Sequence, residues 1–255
     1  MEKQLIIVIL AGGEGKRMEC NENSHALLEN VGYVPIIARV VNEAAKLFPR
    51  KLFIVVNQNE LKISQALRDY AITNDYEFIN QGPSNGTGYA LQVCRNRLKK
   101  YNNANTLIIP GNIPLIKMKL LDEIIQCNSL VNIPYIEKDE PNNDTRLKII
   151  KQCFNKLILR RDCCAKDLNI KTVSIGIYLI DNIILCSNIQ FIQTCLFETG
   201  EYFIEDIFPL IKKENKGEIK LIKFPLLNHI NLRQVVDKKT LKEVNDYVSA
   251  LELIK

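Results

Sequence analysis

The sequence predicts an α/β protein built on a mixed, mostly parallel sheet with helices on both faces. Two observations predict this. Over the first 135 residues, short continuous apolar runs rich in β-branched residues alternate with segments of helical spacing. Such runs mark strands covered on both faces, and their alternation with helices marks crossover connections. Glycine-rich segments also follow the first, third and fourth runs, which puts them on the carboxyl edge of the sheet, where ligands bind in folds of this class.

Taken in order, Leu5–Leu10 is a central strand ended by glycines. A loop runs to about Pro35, and Ile36–Leu47 is helical. Leu52–Val56 is a buried strand, Glu60–Tyr70 a helix and Tyr76–Asn80 a short strand. Thr87–Leu98 is a helix opened by a glycine loop, Thr106–Ile109 a strand ended by Pro110-Gly111, Leu115–Cys127 a helix, and Leu130–Ile136 a strand. From Glu137 the rhythm changes. Lys138–Asp144 is polar and reads as a loop. Leu147–Ile150 and Lys156–Leu159 read as short strands, Val173–Ile180 as one strong strand, Tyr202–Lys213 as a helix, Ile219–Phe224 as a strand and Lys239–Leu253 as a closing helix. No internal repeat and no β-helix hexapeptide pattern is present, and one domain is expected.

Composition excludes several classes. The 255 residues are 47% hydrophobic and 25% charged, ample for a core without metal or disulfide staples. A net charge of +5 is spread over scattered lysines and arginines, with small clusters at Lys99-Lys100 and Arg160-Arg161. Nucleic-acid binding needs a denser basic stripe, whereas small anionic substrates suit this balance. No run approaches the ~18 apolar residues of a membrane helix. Cysteines at 20, 94, 127, 153, 163, 164, 186 and 195 form no CxxC pair and no Cys/His metal spacing. With no signal-peptide pattern at the N-terminus, they read as reduced thiols of a cytoplasmic protein. A homo-oligomer is left open.

Five segments carry chemistry. In Leu10-Ala11-Gly12-Gly13-Glu14-Gly15-Lys16-Arg17-Met18, glycines directly after a buried strand let the backbone approach phosphates, and Lys16 and Arg17 add positive charge. The segment is neither the dinucleotide GxGxxG nor a P-loop, which needs Ser or Thr after its GK. Gln81-Gly82-Pro83-Ser84-Asn85-Gly86-Thr87-Gly88-Tyr89-Ala90 is a second glycine loop between strand and helix, with Thr87 also suited to capping. Pro110-Gly111-Asn112-Ile113-Pro114-Leu115 follows the fourth strand. Leu227-Asn228-His229-Ile230-Asn231-Leu232-Arg233 and Gly200-Glu201-Tyr202-Phe203-Ile204-Glu205-Asp206-Ile207 lie in the second half.

Together these segments resemble the uridyltransferase half of the enzymes that make UDP-N-acetylglucosamine, within the sugar-phosphate nucleotidyltransferases, over about residues 5 to 250. The first matches the family signature LAGGxGTRM, and the last matches GEYYxTDI. The resemblance implies a three-layer, Rossmann-like (glycosyltransferase-A-like) nucleotidyltransferase domain over 1–255. Its nucleotide-binding part would span about 1–135 and its sugar-binding part about 136–255, without the C-terminal acetyltransferase β-helix of the bifunctional members. It implies UTP and N-acetylglucosamine 1-phosphate as substrates. Leu10, Ala11, Gly12, Gly13, Gln81, Gly86 and Thr87 would bind the nucleotide, and Ser174, Gly176 and Glu201 the sugar. Arg17 and Lys16 would act at the phosphates.

The departures are also legible. The family's Mg²⁺-ligating Asp in Gly-Asp-x-Pro-Leu is Asn112 here, and its second ligand, an Asn, falls on Asn231. Two neutral amides make a weak Mg²⁺ site. His25 stands roughly where the family has a phosphate-reaching Lys, and Lys16 replaces the signature Thr. The family's Asn-Thr-Gly corresponds to Ser174-Ile175-Gly176, and its Gly-Arg and acidic sugar positions find no counterpart between Thr145 and Asp167. Two alternatives follow: a degenerate relative that binds nucleotide or sugar nucleotide without turnover, or a nucleotidyltransferase with another substrate pair, as in molybdenum-cofactor guanylyltransferases and isoprenoid cytidylyltransferases.

Overall fold

A computed structural model describes residues 3–18, 25–70, 75–127, 129–139, 144–192, 200–214 and 219–253. The chain runs β1 (Gln4–Leu10), a small hairpin β2 (Asn30–Val31) and β3 (Val34–Pro35), α1 (Ile36–Ala45), β4 (Lys51–Val56), α2 (Glu60–Asp69), β5 (Tyr76–Asn80), α3 (Thr87–Leu98), β6 (Ala104–Pro110) and α4 (Met118–Ile125). The second half runs β7 (Val131–Glu137), β8 (Arg146–Ile150), β9 (Cys153–Ile158), β10 (Thr172–Ser174), β11 (Tyr178–Asp181), α5 (Asn182–Asn188), α6 (Ile207–Glu214), β12 (Ile219–Lys223) and α7 (Lys238–Glu252).

Among the described residues one mixed sheet has the order β5-β4-β1-β6-β11-β7-β10-β8-β9, with β12 paired to β7. β5, β4, β1 and β6 are parallel, while β11 lies antiparallel between β6 and β7. The strand alternation of β1 builds both cores. Ile7 and Ile9 face a layer that includes α1, α2, α4 and α7, and Ile6 and Val8 face α3, α5 and α6. All four side chains are fully buried, each worth ~1.5–3 kcal/mol of transfer free energy. The result is the expected helix–sheet–helix arrangement.

The first half matches the sequence expectation closely, down to α3 at Thr87–Leu98. The differences are local in the first half and larger in the second. The hairpin β2–β3 occupies part of the expected loop, turning at Gly32 with φ 60°. The expected strand Val173–Ile180 is two strands, β10 and β11, broken around Gly176 at φ 76°. From Ser174 opposite Tyr135 to Leu179 opposite Asn132, five steps of one chain face three of β7. The surplus forms a bulge, and glycine takes the positive φ it demands. Beyond the bulge the pairing partner changes from β8 to β6. The helix expected from Tyr202 starts as a 3-10 turn at Ile204–Asp206 and becomes α6 only at Ile207. The helix expected from Leu115 starts at Met118, after an extended Lys117. Part of the polar loop Lys138–Asp144 and the residues between Met18 and His25 lie outside the described residues; Lys138 pairs with Asp144 at 2.8 Å.

No described helix is long and apolar enough to cross a membrane. The six described cysteines are free thiols, and burial pushes Cys94 up to about 12.

Candidate active site

The carboxyl ends of β1, β4 and β6 lie side by side. Ala11 N donates to Val55 O at 2.8 Å and Gly111 N to Leu10 O at 2.9 Å, so the loops that follow leave from a common edge. Gly111 packs so tightly on Leu10 that a Cβ there would come 2.9 Å from Leu10 O.

The first glycine loop is held by its carbonyls. Gly12 O accepts from Asn57 Nδ2 and Gln81 Nε2, each at 3.1 Å, and from Ser84 Oγ. Gly13 O accepts from His25 Nε2 at 2.9 Å. Peptides here are trans, so a carbonyl drawn into the protein sends the next N–H the opposite way. The N–H groups of Gly13 and Glu14 therefore turn from these anchors toward the side where Gly13, Glu14, Lys16 and Arg17 are exposed. That is an anion-binding arrangement of backbone amides with two cations beside it. Gly12 leaves no space for a side chain: a Cβ would sit 2.6 Å from Gln81 Cδ.

The residues expected here come together, with changed parts for some. Lys16 is 84% exposed and pairs with Glu14 at 2.8 Å. That hydrogen bond raises its pKa, and the charge of Glu201 adds slightly to the effect. His25 differs most from expectation. Its ring is 2% exposed, Nδ1 accepts from Leu27 N at 3.3 Å, and Nε2 is spent on Gly13. Burial holds its pKa below the usual histidine value. Both nitrogens are committed to the protein, so the ring does not offer itself to a phosphate as the family's lysine would. Gln81 is 5% exposed, and its Oε1 is buried without a partner among the described residues.

Gly86 and Thr87 sit where α3 meets the 200–206 segment. Gly88 N donates to Tyr202 O at 2.9 Å, Tyr202 N to Asn85 O at 2.8 Å, and Ile204 N to Thr87 Oγ1 at 3.1 Å. Gly86 has φ 92°, and a Cβ there would meet Tyr202 O at 2.3 Å. Its glycine is thus demanded by backbone packing, and Thr87 keeps its hydroxyl proton for another acceptor.

At the far end, three segments converge. Val235 N donates to Asn112 O at 2.8 Å and Asn112 Nδ2 to Val235 O at 3.1 Å, which ties Asn112 to the stretch that carries Asn231. Gln234 Nε2 donates to Ile175 O at 3.0 Å, and a Cβ on Gly176 would lie 3.0 Å from that nitrogen and 3.3 Å from Pro110 Cγ. Asn112, Ser174 and Gly176 therefore belong to one neighbourhood, and Asn231 lies in the stretch that leads into Val235. Among the described residues no group of three His, Cys, Asp or Glu could hold a metal. The carboxylate nearest in sequence, Asp237, caps α7, accepting from Thr240 N and Oγ1 at 2.8 Å; those bonds, then the charges of Arg17 and Arg233, lower its pKa. This donor set does not fit Mg²⁺ as a protein-held ion.

The region around Ser174 contains a polar hydrogen-bond chain that the sequence does not reveal. Gly176 N donates to Ser174 Oγ (3.2 Å), Ser174 Oγ to Tyr178 Oη (3.0 Å), and Tyr178 Oη to Glu205 Oε1 (3.1 Å). Burial raises the pKa of Glu205, which stands at the Thr of GEYYxTDI. Asn57 and Ser84 were also missed as site residues. The available signal for Asn57 was a buried amide one residue past β4, on the ligand edge. A separate cavity of about 510 Å³, lined by Glu137, Lys148, Lys166, Lys171 and Thr172 among others, shares no residue with this site.

The family profile of the MobA-like NTP transferase domain matches residues 7–153, which span the glycine loops and the β6 edge. The chain belongs to this family. The MobA-like chain is 27% identical over 246 residues to a protein of Acanthamoeba polyphaga mimivirus named for UDP-N-acetylglucosamine pyrophosphorylase, covering 94% of this chain and 95% of the other. It is 28% identical over 255 residues to the bifunctional protein GlmU of Prochlorococcus marinus, covering 96% of this chain and 53% of that one. It is 30% identical over 213 residues to GlmU of Buchnera aphidicola, covering 83% and 46%. The chain thus spans about half the length of these bifunctional relatives. A Bacillus anthracis structure named for glucose-1-phosphate thymidylyltransferase, in complex with sucrose, shares the fold at TM-score 0.74 and 17% identity, over 95% of this chain and 94% of that one.

Proposed function

We propose that this MobA-like nucleotidyltransferase is a sugar-phosphate uridyltransferase, converting UTP and N-acetylglucosamine 1-phosphate to UDP-N-acetylglucosamine and pyrophosphate in the cytoplasm. The observation that carries the reading is the first glycine loop, whose carbonyls are taken up by Asn57, Gln81, Ser84 and His25 so that its amides are left for a phosphate. The names borne by the mimiviral and GlmU relatives support the sugar and the base.

In this reading the chain acts as one domain, with the nucleotide held by residues before about 135 and the sugar by those after. A phosphate oxygen of the sugar phosphate attacks the α-phosphorus of UTP in line. The bond from that phosphorus to the bridging oxygen breaks, and pyrophosphate leaves. No covalent enzyme intermediate is needed, so the protein's part is alignment and charge neutralisation. Leu10 through Gly13, Lys16 and Arg17 cradle the triphosphate. Gln81, with its unpartnered Oε1, meets the base edge beside Gly86 and Thr87. Ser174, Gly176 and Glu201 meet the sugar. Mg²⁺ enters as part of the MgUTP substrate, with Asn112 and Asn231 as neutral contacts to the phosphates.

A second reading, a relative that binds the nucleotide but turns it over poorly, is favoured by the all-amide pair Asn112 and Asn231. Pyrophosphate release with UTP, N-acetylglucosamine 1-phosphate and Mg²⁺ decides between them. Turnover that Arg17→Ala suppresses is the expected result. Silence with every nucleotide and sugar-phosphate pair, while UDP-N-acetylglucosamine still binds, replaces the first reading by the second.

A further inference from the structure

We infer that His25 is a positioning residue: its neutral ring holds the Gly13–Glu14 peptide in the shape that binds a nucleotide phosphate, and charging the ring loosens that grip. The inference rests on the nucleotide site proposed above and supplies it with a pH response of definite sign.

The proton inventory follows from geometry. Leu27 N–H points at Nδ1 from 3.3 Å, so Nδ1 carries no hydrogen. Gly13 O, 2.9 Å from Nε2, can only accept, so Nε2 carries one. One tautomer satisfies both contacts, and it is neutral. A second proton on Nδ1 would set two donors face to face and forfeit the bond to Leu27. At 2% exposure, little water reaches the ring to replace it. The bond to Gly13 O also fixes the plane of the next peptide, and with it the direction of Glu14 N–H. Loop and ring segment are further interlocked at Gly15, where φ is 66° and a Cβ would come 2.6 Å from Ala26 Cβ.

Charged groups on the surrounding elements do not rescue the charged ring. Among the described residues these elements carry Glu14, Lys16 and Arg17 on the loop, Glu29 on the ring's own segment, Arg39 and Glu43 on α1, and Glu60, Lys62, Arg68 and Asp69 on α2, of which Lys62 acts on the ring by charge. Glu14 pairs with Lys16, and Arg39 donates to Val31 O. Burial disfavours the charged ring most, the bond to Gly13 partly offsets this, and Lys62 disfavours it further. The folded ring thus takes a proton less readily than a free histidine. The clamp is intact above the ordinary histidine range and is lost as pH falls below it.

A histidine that instead paired with phosphate would behave in the opposite way, gripping tighter as it charges. The test is calorimetric titration with UDP-N-acetylglucosamine from pH 8 to pH 5. This probe is suitable because its phosphates do not ionise over that range. The wild-type affinity is expected to fall about tenfold on acidification, the equivalent of roughly one pKa unit of coupling. His25→Gln, whose amide nitrogen can reach Gly13 O but cannot titrate, should bind within about threefold of wild type at pH 8 and show no acid loss. His25→Lys should bind at least about tenfold more weakly at every pH, having lost both ring contacts. The chain has two histidines, so His229→Gln should keep the wild-type profile. Tighter binding at low pH, a flat wild-type profile, a profile that vanishes in His229→Gln, or a lysine variant equal to wild type would each overturn the inference. Should His25→Gln not fold, the sign of the wild-type profile decides alone. No binding of the probe or of UTP at any pH would remove the nucleotide reading and this inference together. Binding with the wrong sign removes only the inference.

Discussion

The two ends of the candidate site are built on different terms. At the glycine-loop end, Gly12 O and Gly13 O are met by protein donors, and two cations, Lys16 and Arg17, stand exposed beyond them. This end can receive an anion without rearranging. At the Asn112 end, the polar groups answer one another: Asn112 is tied to Val235, Asp237 to Thr240, and Ser174 through Tyr178 to Glu205. Among the described residues the carboxylate nearest in sequence, Asp237, is already engaged in capping α7. Under the proposed function the difference places nucleotide affinity and catalytic rate on separate regions, so that a variant should change one and leave the other.

The largest expected effect tests the joint between the two regions. Gly86→Ala puts a Cβ at 2.3 Å from Tyr202 O on a residue at φ 92°. A loss on the order of 3 kcal/mol in denaturant unfolding is expected, with weakened UTP binding as the 200–206 segment lifts from α3. An unchanged midpoint would mean that the segment does not pack on the loop. Arg17→Ala comes next and addresses the first region alone. Removing one charged contact to phosphate should cost UTP about 10- to 100-fold in affinity, leaving thermal stability unchanged because Arg17 is exposed. Equal UTP affinities would place the triphosphate elsewhere. Asn112→Asp addresses the second region with two opposed outcomes. The carboxylate cannot donate to Val235 O, so stability should drop by about 1 kcal/mol. It also offers Mg²⁺ the hard anionic ligand the site lacks, so Mg²⁺-dependent turnover should rise about tenfold. A fall in both would show that the amide itself is required.

What was legible in the sequence divides along the same line. β1, β4 and α3 could be read because their patterns are local: Ile6–Ile9 is apolar on both faces of the sheet, and Gly86 marks where α3 begins. The string from Leu10 to Met18 exposed the phosphate end for the same reason. The second half depends on non-local facts. Val173–Ile180 reads as one strand, and only its neighbours reveal that β10 serves β8 while β11 serves β6, so the break at Gly176 was not legible although the resemblance had singled the residue out. α5 is short and apolar enough to pass for the continuation of a strand, its start being set by Asp181, which accepts from Ile183 N and Ile184 N. The part His25 plays was hidden because it lies in hydrogen bonds to Gly13 and Leu27 that no residue pattern encodes. Asn57 was hidden because a single buried amide carries no motif.

The smallest expected effect sharpens the comparison at the sugar side. Glu205 holds its proton more tightly in the folded protein, because burial penalises its charge. Its contribution to stability is therefore complete at pH values below the ordinary glutamate value and is lost as pH rises through its folded value. Glu205→Gln cannot ionise. Relative to wild type, the variant should gain stability between pH 4.5 and pH 8, by up to about 1 kcal/mol, read from denaturant midpoints across that range. Tyr178→Phe should behave differently. It strands Ser174 Oγ and Glu205 without their shared partner and should lower stability at both ends of the range. A Glu205→Gln midpoint that tracks wild type at every pH would mean that the carboxyl ionises as freely as in water. The chain from Ser174 to Glu205 would then end in a charge, and the contrast with the glycine-loop end would have to be redrawn.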